Sequence, residues 1–476
     1  MNKMEQYKKD FIDFLMNTNS LKIGEDFTLK SKRLSPYFIN VGDFNEGLSI
    51  DMLGQAYALA IQELGEEVDI LFGPAYKGIP LSVTTSIALS KKGKKVGFAF
   101  DRKEAKDHGE VTNKADLQKA MIVGKKIKDG SRIILLDDVF TTGDTKYETV
   151  ELLNKLADNL QYPALVIAVD RQEVGIDGKS AIDEFTQKTG IPVASIITAS
   201  EICQYLKTIK RENQNVERIA NYLRVYGTET ARNGIVEKFG KLEQRIIERD
   251  RSIIPACDIP TLEQFEELIK QTKDVEGIGG YKIGFELGLG YGLERVVETA
   301  RKYTDKPIIY DHQKAATDIP ETGKNFAKAC KKSGIDAVIL FPQSGPETER
   351  AWIYHALDNG LGVIVGGRMT HPAYAQSEGG FISDEGALEM YRIAARAGIN
   401  NFVVPGNKID VIRLVKETVE SEGVNPVFYA PGFVAQGGKI EDAANVAGDR
   451  WHAIVGRGIY QAGDMKKVAL EYTSQL

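Results

Sequence analysis

The chain is poor in cysteine, has no long apolar run and carries no excess of positive charge, and each lack removes a class of function. Its three cysteines, Cys203, Cys257 and Cys330, stand far apart, with neither metal-ligand spacing nor a disulfide framework. Each reads as a small buried residue, which fits a reducing cytoplasm. No stretch approaches the roughly 18 apolar residues that span a bilayer. The opening MNKMEQYKKDFIDFLMNT reads as an amphipathic helix and not as a signal peptide. A formal net charge of −6 repels nucleic-acid backbones and anionic membranes, so any hold on polyanions must be local. Neither nucleic acid nor membrane is expected as a partner.

What is present is the balance of a soluble globular protein, 42% hydrophobic and 27% charged. At 476 residues the chain exceeds one ordinary core, and its length suggests about two or three domains. The first half alternates short β-branched runs (69–74, 96–100, 132–139, 164–170 and 193–198) with helical stretches. Near-continuous apolar strands with helices between them predict a parallel sheet covered on both faces. Residues 201–250 are charged, helical in pattern and free of strand runs. From Arg251 a strand-then-helix rhythm restarts, with runs at 252–258, 279–285, 306–311, 336–341, 362–367, 401–406, 426–432 and 452–458. Eight such runs in the space that remains predict a (β/α)₈ barrel with its functional groups at the carboxyl ends of the strands. The expected division is therefore a first α/β domain over 1–210, a helical linker over 211–250 and a barrel over 251–476.

The segment ILLDDVFTTGDT (134–145) concentrates the chemistry of the first half. An apolar strand ends in Asp137 and Asp138 and enters a turn rich in Thr and Gly. Backbone N–H groups of Thr141, Thr142, Gly143 and Asp144 can form a nest for a phosphate at a helix start. The two carboxylates can hold ribose hydroxyls and a hydrated Mg²⁺. An ordinary capped strand-to-helix turn is the plain alternative, but paired acids directly after a buried run are costly without a partner.

This segment resembles the phosphoribosyl-pyrophosphate motif of type I phosphoribosyltransferases, and four others narrow the resemblance to orotate phosphoribosyltransferase. FTLKSKRLSPYFIN (27–40) is similar to that family's substrate loop, which implies Lys30 near the pyrophosphate and Phe38 against the orotate ring. GPAYKGIP (73–80) resembles its pyrophosphate loop, with Lys77 as the phosphate contact. FDRKEAKDHGE (100–110) resembles its mobile catalytic loop, so that Arg102, Lys103, Lys106 and His108 would surround the leaving group, some of them across a dimer interface. Alone, those basic residues read as a solvated charge run. VDRQE (169–173) implies Arg171 on the orotate carboxylate, with Thr141 nearby. After HGE the chain departs from the family in a longer and more polar stretch, VTNKADLQKAMIVG.

In the second half, charged groups recur at successive strand ends: Asp258, Lys282, then Asp311, Lys314 and Asp318 within YDHQKAATDIPET (310–322). An Asp/Lys array in a closed pocket would set an acid–base pair beside like charges. Surface salt bridges are the plain reading. ACD, YKIGFEL, DIPET, PGFVAQGG and VGRGIY together resemble orotidine-monophosphate decarboxylase, a family that uses no metal or organic cofactor. The resemblance implies that Lys314 protonates the carbon losing CO₂, flanked by Asp311 and by an Asp318 from the partner subunit. Asp258 and Lys282 would bind ribose, Thr370 the pyrimidine, and Gln436 and Arg457 the phosphate, with N–H groups around Gly437, Gly438 and Gly456. The family spacing is Asp-x-Lys-x-x-Asp, whereas here it is Asp311-x-x-Lys314-x-x-x-Asp318. Positions three apart on a strand do not share a face, so either a bulge restores the geometry or His312 takes the place given to Asp311. The assignment here takes the bulge. His355 and His452 read as packed or surface histidines, and His371 is left unassigned.

The expectation is a two-step enzyme. It would join orotate to phosphoribosyl pyrophosphate with Mg²⁺, then decarboxylate orotidine 5'-phosphate without a cofactor, as a homodimer or higher homo-oligomer. A Mg²⁺-dependent sugar-phosphate aldolase or decarboxylase barrel is the rival for the second half, and Lys282 speaks against metal ligation there. A regulatory phosphoribosyltransferase fold that binds nucleic acid would want a basic patch.

Overall fold

The computed structural model describes residues 4–104, 113–140, 144–210, 213–433 and 440–476, apart from the side chains of Asp43, Asp144, Asn213, Gln313, Lys314, Ala315 and Glu441. The chain divides into two compact units, one of Met1–Leu223 with Gly227–Phe239, the other of Arg224–Tyr226 with Gly240–Leu476. The helices Asn213–Tyr226 and Glu229–Phe239 thus fall almost wholly within the first unit.

In that unit an antiparallel hairpin, β1 (Leu21–Thr28) and β2 (Leu34–Ile39), precedes a six-stranded sheet. The sheet strands are β3 (Ile70–Phe72), β4 (Gly97–Asp101), β5 (Ile122–Gly124), β6 (Ile133–Val139), β7 (Leu165–Asp170) and β8 (Val193–Thr198). Their order is β5-β4-β3-β6-β7-β8. Every pairing is parallel except β4 with β5, so the sheet is mixed where the sequence pattern predicts a parallel one. The odd strand lies in the polar stretch 111–124, whose three-residue IVG run is too short to register as a periodic strand. Alternate residues of the central strands face opposite ways, and both sets are buried. Phe72, Leu135 and Ile167 pack with Leu153 of the helix Asp144–Leu156, while Leu71, Ile134 and Val166 are buried on the other face. Burial on both sides is why these runs are apolar without interruption. The chain leaves β3 toward β4 and later returns to β3's other side as β6. The carboxyl ends of β3 and β6 therefore flank the point where strand order reverses, the usual crevice for a ligand in an open α/β sheet.

The second unit is a closed barrel of eight strands. They are β9 (Arg251–Cys257), β10 (Tyr281–Ile283), β11 (Ile308–Ala315), β12 (Ala337–Leu340), β13 (Gly362–Gly366), β14 (Asn401–Val403), β15 (Val427–Pro431) and β16 (Trp451–Val455). Each pairs in parallel with its successor, and β16 closes onto β9. Ile254, Ile309, Ile339, Ile364, Tyr429 and Ile454 belong to one buried apolar cluster, the filled interior expected of this architecture. Toward the amino-terminal ends of the strands, Ser252 Oγ and His452 Nδ1 share a hydrogen bond of 2.8 Å, both residues fully buried. The β11–β12 ladder runs in register to Asp311 opposite Ile339 and resumes at Ala315 opposite Leu340. Three extra residues of β11 are thus accommodated in an irregularity at the carboxyl end of the strand.

Candidate functional site

In the first unit the switch-point crevice gathers four charged side chains. The loop after β3 folds back so tightly that a Cβ on Gly73 would stand 1.9 Å from the Gly78 carbonyl oxygen, which only glycine permits. This turn brings Lys77 Nζ to 2.6 Å from Asp138 Oδ2. Asp137, one residue earlier on β6, is ion-paired with Lys146 from the first turn of the following helix. The remaining oxygens are directed by backbone: Asp137 Oδ1 accepts from Asp138 N at 2.9 Å, and Asp138 Oδ1 accepts from Val139 N at 2.8 Å. Tyr57 donates its hydroxyl to the Asp137 carbonyl at 2.6 Å. Burial pushes the Asp137 carboxyl up from its ordinary value, and Lys146 opposes that push. The cost of an acid pair after an apolar strand is thus met by two lysines. Lys77 was readable in its motif. Lys146 was not, and its only signal is a lysine placed at a helix start, where a cation is disfavoured.

Arg171, at the end of β7, makes an ion pair of 2.6 Å with Glu173 and donates to Ser35 Oγ at 3.1 Å. Its guanidinium lies 4.3 Å from the centre of the Tyr37 ring. Since Ser35 and Tyr37 are on β2, the hairpin is brought against the end of β7. Phe38 on the same strand stacks on Phe27, ring centres 5.7 Å apart, and Lys30 is exposed in the hairpin turn. Arg102 and Lys103 follow β4, and the Arg102 Nε is buried with no hydrogen bond among the described residues. Lys106, His108, Thr141, Thr142 and Gly143 lie outside the described residues.

The barrel mouth encloses a cavity of about 280 Å³ whose lining includes Asp258, Lys282, Asp311, Thr370, Gly456 and Arg457. Six residues singled out from five separate strand ends therefore share one pocket. Among them Lys282 bridges two acids, with Nζ 3.3 Å from Asp258 Oδ1 and 3.2 Å from Asp311 Oδ2. Burial works against the ammonium, but Asp311 and Asp258 more than offset it and hold Lys282 above the ordinary lysine value. His312 points elsewhere: its ring hydrogen-bonds the Tyr310 hydroxyl and meets the Phe326 ring edge-on. Asp318 is exposed on the following loop, its Oδ1 accepting from Ile319 N at 2.8 Å, and does not line the cavity. The Lys314 side chain, Gln436 and Gly437 lie outside the described residues.

Arg368 is a lining residue that the sequence reading passed over, although it stands two places before Thr370. It is buried, and its Nη1 lies 2.7 Å from Asp384. Asp384 also accepts from the Ser377 amide and hydroxyl, so one carboxylate ties Arg368 to the middle of the loop after Thr370. Asn407 donates to the Thr370 carbonyl at 3.1 Å and Lys408 to that of His371 at 3.1 Å. The backbone carrying Thr370 is thus pinned from the loop after β14. Among the described residues no cluster of three or more acidic, His or Cys side chains could hold a metal ion.

An acid pair with two lysines at the switch point of one unit, and a lysine between two carboxylates at the mouth of a barrel, define two enzyme domains in series. Residues 47–157 match the phosphoribosyl transferase domain family. Residues 251–472 match the family described as orotidine 5'-phosphate decarboxylase / HUMPS. An orotate phosphoribosyltransferase of Saccharophagus degradans is 42% identical over 227 residues, which are 48% of this chain and 100% of that protein. One of Agathobacter rectalis is 43% identical over 233 residues, 47% of this chain and 99% of that protein. A solved orotidine 5'-monophosphate decarboxylase of Methanocaldococcus jannaschii, complexed with the inhibitor BMP, aligns with 28% identity and a TM-score of 0.42, covering 48% of this chain and 98% of its own. The chain belongs to the orotate phosphoribosyltransferase family through its amino-terminal half, which is followed by a domain that matches the orotidine 5'-phosphate decarboxylase / HUMPS family.

Proposed function

We propose that this chain performs two consecutive reactions. Orotate and phosphoribosyl pyrophosphate give orotidine 5'-phosphate and pyrophosphate; orotidine 5'-phosphate and a proton then give UMP and CO₂. The observation that carries the reading is Lys282 between Asp258 and Asp311 in a cavity that also holds Thr370 and Arg457, joined in one chain to the lysine-paired acids of the first unit.

In the first reaction a ring nitrogen of orotate displaces pyrophosphate at the anomeric carbon. Positive charge develops on the sugar while negative charge leaves, so catalysis is positioning and charge neutralisation. Asp137 and Asp138 face the ribose hydroxyls, Lys30, Lys77, Arg102, Lys103, Lys106 and His108 the pyrophosphate, and Phe38, Thr141 and Arg171 the orotate. Thr142 and Gly143 hold the 5'-phosphate. Because each acid already has a lysine partner, the donor set suits a Mg²⁺ that arrives on the pyrophosphate and meets Asp137 and Asp138 as neighbours more than as sole ligands. When bound, that ion neutralises charge on the leaving group.

In the second reaction Asp311, and Asp318 from the partner subunit, crowd the substrate carboxylate with like charge. Lys314 supplies the proton to the carbon that loses CO₂. Asp258 and Lys282 hold the ribose, Thr370 the pyrimidine, and Gln436, Gly437, Gly456 and Arg457 the phosphate. Phosphate binding far from the reacting carbon is expressed in the transition state. The assembly is at least a homodimer, and the setting is cytoplasmic. A Mg²⁺-dependent sugar-phosphate barrel is less well supported, because the Lys282 ammonium, paired with Asp258 and Asp311, stands in the place where such a barrel wants metal-ligating acids.

The test is incubation of the full chain with orotate, phosphoribosyl pyrophosphate and Mg²⁺. Loss of orotate absorbance with release of CO₂ is expected. Orotidine 5'-phosphate accumulating without CO₂ removes the second activity, and unchanged orotate removes the first.

A further inference from the structure

The two lysines on the acid pair are not alike. Lys77 keeps 62% of its side-chain surface exposed and reaches Asp138 from a loop, whereas Lys146 keeps 7% and reaches Asp137 from a helix. A cation in the first turn of a helix opposes the macrodipole, and burying an ammonium is costly unless it is paired. Lys146 meets both penalties at one position, two residues after the Thr- and Gly-rich turn. Its surroundings are built for it: the Asp137 carboxylate accepts the ion pair, and the Phe140 ring lies 5.2 Å from its Nζ. Asp137 is also held at its other side-chain oxygen by the Asp138 amide and at its carbonyl by Tyr57. Nothing comparable fixes Lys77, whose one hydrogen-bond partner among the described residues is Asp138.

We propose that Lys146 is a positioning residue for phosphoribosyl transfer, a fixed internal counter-ion that sets the orientation of Asp137 before substrate arrives. Lys77 is the exchangeable partner that leaves Asp138 for substrate phosphate. This rests on the reading of the first unit as a phosphoribosyltransferase, and it divides the acid pair. Asp138 is uncovered by the substrate itself, while Asp137 stays paired throughout, presenting one aimed oxygen to a ribose hydroxyl. An aimed carboxylate bears on the sugar and not on the pyrimidine, so its loss should separate the two substrates kinetically.

The experiment compares Lys146→Met and Lys146→Arg with the parent, all as full chains. Initial rates are measured with each substrate varied, and phosphoribosyl pyrophosphate binding is followed by calorimetry without orotate. For Lys146→Met, kcat/KM for phosphoribosyl pyrophosphate should fall about 30-fold or more, as when one partner of a buried charge pair is removed. Its calorimetric affinity should weaken in parallel, while KM for orotate moves less than about threefold. Lys146→Arg, which keeps the charge, should recover most of the loss. A Lys146→Met chain with parental kinetics overturns the proposal, and so does a loss that falls equally on both substrates or that Lys146→Arg shares in full. If Lys146→Met does not fold, Lys146→Gln takes its place under the same criteria. A parent that transfers no phosphoribosyl group would instead remove the reading of the unit, a separate outcome.

Discussion

The two units solve one electrostatic problem in opposite ways. Each must keep carboxylates ionised at the end of an apolar strand. The sheet gives each acid its own lysine, Lys146 for Asp137 and Lys77 for Asp138. The barrel instead sets one lysine, Lys282, against both Asp258 and Asp311. The sheet thus fixes its two acids separately. The barrel couples its two acids through one ammonium, so a change at either is felt at the other.

The largest test of that contrast is Lys314→Ala. Decarboxylation of supplied orotidine 5'-phosphate should fall at least about 1,000-fold, with phosphoribosyl transfer unchanged; comparable loss of both would mean that the sites are not independent. Next, Asp137→Asn with Asp138→Asn should cut phosphoribosyl transfer more than about 100-fold while CO₂ release from supplied orotidine 5'-phosphate continues at the parental rate. Third, Lys282→Met removes the ammonium shared by two carboxylates at the barrel mouth and should destabilise that unit by about 3–5 kcal/mol in denaturant titration. Adding Asp311→Asn should give back part of that loss, and strict additivity of the two changes would break the shared-lysine account.

The smallest effect concerns His452. Burial, with the charges of Arg450 and Arg245, pushes its imidazole down to about 3. A base held below its ordinary value favours the fold while neutral, so its contribution is complete above the unfolded value of 6.5 and is lost as pH falls from there toward 3. By a pH of about 5 the parental barrel should have lost roughly 2 kcal/mol from this group. His452→Gln should flatten the pH dependence of the denaturant midpoint over that window, and equal slopes for the two chains would refute the assignment.

Much of this was legible in residue order. The eight apolar runs of the second half correspond to β9 through β16 because each is buried and short, bounded by Gly, Pro or charge. The acids were legible for a related reason: a carboxylate directly after such a run has few explanations. Pairings across the fold were not. Lys146 and Asp137 are nine residues apart, and nothing in that spacing says that a helix start turns its lysine back onto the strand. Arg368 was hidden likewise, since its partner Asp384 lies beyond a loop of unguessable path. The short antiparallel β5 escaped because three residues carry no period. The irregular spacing around Lys314 could be noticed, but only the ladder locates the surplus between Asp311 and Ala315.

The mutual approach of Gly73 and Gly78 has a consequence for how the first site keeps its dimensions. Where two stretches of main chain touch, the gauge between them is set by bonded geometry and atomic radii, not by how neighbouring side chains happen to fill space. The stem that carries Lys77 therefore behaves like a caliper closed to its stop. Its lysine can sweep through solvent on a flexible arm, yet always returns to the same anchor, and repacking elsewhere in the sheet would leave that reach unaltered.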